Sequence, residues 1–355
     1  MEVVCIGESM ATLVPEQTGP LERSERFRRA VGGAESNVAC GLAALGVPAA
    51  WLSRVGDDGF GRLLLAELAA RGVDTSAVEV DPHRATGLYV KEIGGSTGSP
   101  HDLGAGSSRL HYYRTGSAAS ALGPQALDTP AARALLDGAA LVHLSGITAA
   151  LGRLTGHDGG QRLVEAVLAR RRPGQLVSFD LNWRPRVWQS PASVPEATQP
   201  SAILAGLAAR ADVVLLGTDE AAEVFGTDDP RRLRALLPGP RILVVKDAAS
   251  AVTAFEGDEE VTEPALRVEV VEPIGAGDAF AAGYLSGLLR GHDQRRRLRL
   301  GHACAAAVLM VSGDHCTPPD AQTREALLAC TPSQWSATRA SGGAFAVPAA
   351  EAVAR

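Results

Sequence analysis

The sequence predicts an α/β fold built on a mostly parallel sheet, and three features predict it. Five brief, continuous apolar runs have the pattern of strands covered on both faces: Glu2–Gly7, Leu141–Leu144, Leu176–Phe179, Val213–Leu216 and Ile242–Val245. Longer Ala/Leu/Arg stretches with helical spacing lie among them, at Asn37–Leu45, Gly61–Arg71, Gln161–Arg171, Ser201–Arg210 and Ala279–Leu289. This alternation continues along most of the 355 residues, with no internal repeat.

Two stretches break the rhythm. Residues 11–31 and 85–117 are polar and short-period; Thr86–Glu92 and Arg109–Arg114 alternate as a half-exposed antiparallel sheet does. They predict a small β-subdomain projecting from the main body. The Gly/Ser-rich segment Gly94–Ser108 between its strands reads as a flexible connector. No strand leads directly into a helix there, so it is not a phosphate cradle. Gln189–Pro200, with three prolines, reads as a surface loop. Residues 1–330 then form one unit. From Thr331 to residue 355 the chain is Ala/Ser/Gly-rich with little periodicity, and that tail is expected to be disordered and dispensable.

Composition narrows the function. Hydrophobic residues make up 46% and charged residues 21%, which excludes a mainly disordered chain. A net charge of −6 argues against a general nucleic-acid binder and against an anionic-membrane binder. Five cysteines without a CxxC pair fit neither a disulfide framework nor a structural zinc site. They fit a reducing cytoplasm, and the N-terminus lacks the basic region of a signal peptide.

The strongest motif is Pro273–Ile274–Gly275–Ala276–Gly277–Asp278–Ala279–Phe280. Two glycines allow a tight turn and close approach to a ligand. The helix that follows presents unpaired N–H groups and a positive dipole end, which together favour an anion. Asp278 at that position is either a proton acceptor working while charge develops nearby or a plain helix cap. The final Lys–Ser/Thr of a Walker P-loop is missing. A second motif, Gly32–Gly33–Ala34–Glu35–Ser36–Asn37, sets two glycines before a helix with Asn37 on its first turn.

Taken together, in this order and roughly 240 residues apart, the two motifs resemble the two signatures of the ribokinase-like (PfkB) carbohydrate kinases. The resemblance covers about residues 1–330. It implies a Rossmann-like three-layer αβα core, a β-sheet lid formed by 11–31 and 85–117, and phosphate transfer from ATP to a sugar hydroxyl. Mg²⁺ would arrive with the nucleotide, and no direct protein ligand for a metal is named. Lid strands in this family often form dimer contacts, so a homo-oligomer is expected.

Within the family, Thr86–Tyr89, Tyr112–Ala118, Leu144–Thr148 and Asp180–Arg184 leading to Trp188 resemble the branch that acts on 2-keto-3-deoxygluconate. By position, the resemblance gives Gly33, Asn37, Tyr89, Tyr112, Arg114, Ile147, Arg184 and Asp314 to the sugar acid. It gives Glu220, Lys246, Gly275, Gly277 and His302 to the nucleotide, and Asp278 with the Gly275–Ala276–Gly277 turn to catalysis. Arginine suits the substrate's carboxylate because its planar fork matches two oxygens. Taken alone, Arg114 would read as a solvated lid cation and Arg184 as a structural ion pair.

The nucleotide half departs from the family pattern. An asparagine expected three residues before Glu220 is Gly217. The turn after Lys246 carries Ala248 and Ala251 where glycines are expected, and alanine resists positive φ. Glu272 stands where an aspartate is common, and His302 where an asparagine is common near the adenine.

The resulting expectation is ATP-dependent phosphorylation of the terminal C6 hydroxyl of 2-keto-3-deoxy-D-gluconate. The alternatives are another family kinase, such as a fructokinase or a kinase of a different keto-deoxy acid, and a sugar-acid-binding homologue impaired in catalysis. A dinucleotide-dependent oxidoreductase fails, since Ile6–Gly7–Glu8–Ser9 lacks GxGxxG.

Overall fold

The computed structural model describes residues 2–188, 199–313 and 317–348. Six parallel strands run side by side in the order Ala49–Leu52, Val3–Ile6, Leu141–Ser145, Leu176–Asp180, Val213–Gly217 and Ile242–Asp247. An antiparallel pair, Ala251–Glu256 and Glu259–Pro264, extends the sheet. All five apolar runs of the sequence are thus central strands. Sequence reading missed Ala49–Leu52, which is short and opens on two alanines, and the Glu-rich hairpin at the far edge; Ala and Glu are depleted in strands.

Side chains alternate across a strand. Val4 and Ile6 enter one core with the helices Gly159–Arg170 and Pro200–Ala208. Val3 and Cys5 enter the other with the helices Ala34–Ala44, Gly59–Ala70 and Ala276–Leu289. Helices on both faces of one sheet make three layers, and the carboxyl ends of the parallel strands are where ligands bind in such sheets.

Four strands form a separate small sheet in the order Phe27–Gly32, Met10–Pro15, Leu88–Ile93, Ser108–Tyr113. Asp58 ties its approach to the main body. One carboxylate oxygen caps the helix Gly59–Ala70 through the N–H groups of Phe60 and Gly61, and the other accepts from the Thr86 N–H at 2.8 Å.

Two expectations are corrected. Gly94–Ser108 is not a featureless connector, because Asp102 gathers it. Its carboxylate accepts from the N–H groups of Gly95, Thr97 and Gly104 and from the Thr97 hydroxyl. One Asx side chain organises a loop whose average composition is that of a linker.

The tail is folded as far as residue 348. Thr331 and Gln334 form a capping box for the helix Pro332–Ala337, and the strands Arg339–Ser341 and Ala344–Ala346 follow. Trp335 is 1% exposed and its indole N–H donates to the Pro264 carbonyl at 2.8 Å. A single buried aromatic outweighs the polar average of its surroundings. Residues 349–355 and the expected surface loop over 189–198 lie outside the described residues. No described helix is long and apolar enough to cross a membrane.

Candidate active site

A cleft of about 1020 Å³ opens between the small sheet and the ends of the central strands. Ten of the residues singled out in the sequence line it: Gly33, Asn37, Tyr89, Tyr112, Arg114, Ile147, Arg184, Gly275, Gly277 and Asp278. Ala276 lies in the same turn, as the first residue of the helix Ala276–Leu289.

The turn explains its own sequence. Gly275 precedes that helix with φ of +83°, a left-handed conformation that favours glycine. No side chain caps the helix, so its first N–H groups face the cleft at the positive end of the dipole. Asp278 is therefore not the helix cap. Its Oδ2 accepts from Asn37 Nδ2 at 2.7 Å. Burial pushes the Asp278 carboxyl up to about 7, the Asp180 and Glu35 charges add to that rise, and the Asn37 bond opposes it.

Asn37 is held at both ends, because its Oδ1 accepts from the Gly33 N–H at 3.3 Å. Gly33 in turn has no room for a side chain, since a Cβ there would stand 2.3 Å from the Glu8 carbonyl oxygen. The two sequence motifs thus meet. Asn37, expected among the substrate contacts, orients the Asp278 carboxylate.

Both expected carboxylate-reading arginines have partners. Arg114 is 8% exposed and forms an ion pair with the buried Glu8, whose other oxygen accepts from Ser117 Oγ at 2.8 Å. Arg184 is half exposed, with Nη1 on Glu220 at 3.1 Å and on the Trp183 carbonyl at 2.8 Å. Tyr89 is buried and Tyr112 exposed, their ring centroids 5.6 Å apart.

Lys246 and Glu220 are not among the residues that line the cleft; Lys246 Nζ meets Asp180 Oδ2 at 3.0 Å. Burial opposes the ammonium charge, but Asp180 and Glu220 hold it above its ordinary value. Burial and the Asp180 charge push Glu220 up, while its backbone bond from the Gly217 N–H favours the ion. Ala248 adopts φ of +35°, the strained turn that the missing glycine foretold.

His302 does not join this group. It is 6% exposed, packs edge-on to Phe280 with centroids 5.3 Å apart, and pairs with the Glu263 carbonyl at 3.1 Å. Burial pushes it down to about 4. It does not line the cleft, and its ring packs between Phe280 of the Ala276 helix and Trp335 of the tail. Asp314 lies outside the described residues.

Sequence reading missed Glu8, the partner of Arg114. The available signal was an acidic residue immediately after the apolar run of a buried strand, where a parallel sheet ends at a ligand crevice. It also missed Glu35, fully buried, whose Oε1 accepts from Ser145 and Thr148 and whose carboxyl burial pushes up. Asn182 lines the cleft at φ of +37°, a conformation that asparagine tolerates better than most residues.

Comparison with known proteins identifies the family. The model of the pfkB family carbohydrate kinases matches residues 1–320. A 2-dehydro-3-deoxygluconokinase of Thermoproteus tenax is 35% identical over 334 residues, 92% of this chain and 94% of that one. A 2-dehydro-3-deoxygluconokinase of Bacillus subtilis (strain 168) is 32% identical over 318 residues, 88% of this chain and 91% of that one. The crystal structure of a PfkB protein from Polaromonas sp. JS666 superposes with a TM-score of 0.75 at 32% identity, covering 93% of this chain and all of that one. With its two signature turns joined at Asp278 and Asn37, the chain belongs to the pfkB family of carbohydrate kinases.

Proposed function

We propose that the protein transfers the γ-phosphoryl group of ATP to the terminal C6 hydroxyl of 2-keto-3-deoxy-D-gluconate, giving the 6-phosphate. Asp278 accepts the hydroxyl proton as that oxygen attacks phosphorus, and the bond from phosphorus to the bridging oxygen of ADP breaks. The N–H groups of Gly275, Ala276, Gly277 and Asp278 stabilise the charge on the phosphoryl group in flight. The observation that carries this reading is the placing of Asp278. A carboxyl raised to about 7 sits on the first turn of an uncapped helix, in the same cleft as Arg114 and Tyr89.

The substrate is read as an acid because Arg114 and Arg184 both line the cleft, and two relatives above 30% identity carry that substrate in their names. Tyr89 and Tyr112 cover the carbon chain, with Gly33 and Ile147 beneath it. The nucleotide is taken by the turn and by Lys246 and Glu220. Its Mg²⁺ enters as part of the substrate, held by phosphates and water. A homo-oligomer would form through the small sheet, where Phe27 and Tyr113 are exposed.

Coupled measurement of ADP release over a panel of sugar acids and neutral sugars tests the reading. The expected result is the highest kcat/KM for 2-keto-3-deoxygluconate. A preference for fructose or ribose would leave only the family-level activity, and ligand binding without turnover would mark a binding protein.

A further inference from the structure

Two elements far apart in sequence, a strand of the small sheet and the approach to the anion turn, are joined by one desolvated ion pair. Lys91 Nζ meets Glu272 Oε2 across 181 residues. Their side chains are 11% and 14% exposed. Lys91 lies on Leu88–Ile93, two residues beyond Tyr89, so both point to the same face of that strand. Tyr89 lines the cleft. Glu272 directly precedes Pro273, Ile274 and Gly275, which line the cleft from the other side.

The backbone at Glu272 belongs to the main body. The N–H groups of Val271 and Glu272 donate to the Leu309 carbonyl at 2.7 and 3.3 Å, at the end of the helix Gln294–Leu309. One short segment is therefore fixed by its backbone to the α/β core and by its side chain to the small sheet. A charge-assisted contact between two nearly dry groups holds a narrow range of geometry, because neither ion has water to fall back on.

We propose that Lys91 and Glu272 are positioning residues that set the small sheet, and with it the acceptor sugar, at the distance from the Gly275–Asp278 turn that transfer requires. The inference rests on the kinase reading but not on the identity of the sugar. The pair touches no reacting atom. Without it the sugar and the turn each keep their own contacts but lose their common frame. Misplacement by about 1 Å can cost on the order of 10²-fold in rate. The same misplacement leaves the γ-phosphoryl group open to water.

The experiment compares wild type, Glu272→Asp, Glu272→Gln and the double variant Glu272→Asp/Lys91→Arg, each shown to be folded by circular dichroism. Transfer is measured with whichever sugar or sugar acid wild type uses best, and ATP hydrolysis is followed in parallel. Glu272→Asp shortens the carboxylate arm by one methylene and keeps its charge. It is expected to lower kcat at least about tenfold while both KM values move less than about threefold, and to raise the fraction of ATP lost to water. Lys91→Arg lengthens the cation and should restore a large part of that kcat. Glu272→Gln should lose at least as much as Glu272→Asp. If Glu272→Gln does not fold, the arm-length pair decides alone. A kcat within about twofold of wild type for Glu272→Asp overturns the proposal, as does a double variant no faster than the single one. A wild type active only on a neutral sugar overturns the substrate reading instead, and the pair is then scored on that sugar.

Discussion

Asn37 Nδ2 donates to Asp278 Oδ2 at 2.7 Å, although 241 residues separate them in sequence. The bond favours the ionised carboxylate, while burial favours the neutral acid and wins, leaving Asp278 at about 7. A base must be ionised to accept a proton. The rate is therefore expected to climb as pH rises through about 7 and to level above it. Asp278→Asn should lower kcat by about 10²–10⁴ with substrate affinity little changed. Asn37→Ala removes the bond that opposes the rise, so its pH–rate limb should move to higher pH. A limb unmoved in Asn37→Ala would show that the two groups are not coupled.

The same carboxyl makes stability depend on pH. Its folded pKa is raised, from 3.8 to about 7, so between these values the folded chain holds a proton that the unfolded chain has released. Stability due to this group is complete below pH 4 and is lost as pH rises through about 7. Asp278→Asn should accordingly melt above wild type at pH 8, with the gap closing as pH falls toward 4. Thermal melts of both proteins across that range check it; a constant difference would assign the effect to packing.

Ala248 holds φ of +35° in the turn closed by the Ser250 N–H on the Asp247 carbonyl at 2.8 Å. Left-handed backbone costs an L-residue about 1–2 kcal/mol, and glycine returns part of that gain through its freer unfolded state. Ala248→Gly should therefore stabilise by roughly 0.5–1 kcal/mol. Urea unfolding should show a higher midpoint at unchanged slope. If the nucleotide lies against this turn, the KM for ATP should fall as well.

The tail offers the opposite case. Trp335 is buried beneath Arg299, whose guanidinium carbon stands 4.9 Å from its ring centroid, and beside His302. Trp335→Ala should cost about 3–5 kcal/mol, as loss of a large buried aromatic does. Deleting the chain after residue 330 should be at least as damaging. A truncated protein with the wild-type melting temperature would restore the view that the tail is dispensable.

What the sequence disclosed follows from what sequence patterns encode. Apolar runs such as Val213–Leu216 report burial on two faces, so the central strands were legible. Gly275 and Gly33 report a backbone demand, left-handed at one and crowded at the other, so both halves of the site could be located. Pairings were not legible. Nothing local to Arg114 announces Glu8, and nothing local to Glu272 announces Lys91, because an ion pair leaves no period and no spacing. The burial of the His302 ring against Phe280 was not legible for a related reason, since a position in a motif does not say which way a ring turns. Trp335 was overlooked because one residue scarcely shifts the composition of its segment.

The Glu8 partner also changes how the substrate-reading role of Arg114 has to be tested. Arg114→Ala would strand a carboxylate whose side chain is 1% exposed, at a cost of about 3–5 kcal/mol in stability whatever the substrate. Arg114→Lys keeps a cation beside Glu8 but replaces the planar fork with a single ammonium, which serves Glu8 and the ligand together less well than it serves either alone. For a sugar acid the variant loses a charged hydrogen bond, about 1.5–3 kcal/mol, so kcat/KM should fall roughly 10–100-fold. For a neutral sugar that the enzyme accepts, the loss should be several-fold smaller. Tyr89→Phe removes only a neutral hydroxyl, at about 0.5–1.5 kcal/mol, and should fall between the two. Kinetics on both substrate types decide the matter: equal losses on acid and neutral sugar would mean that Arg114 serves Glu8 and the small sheet and reads no carboxylate.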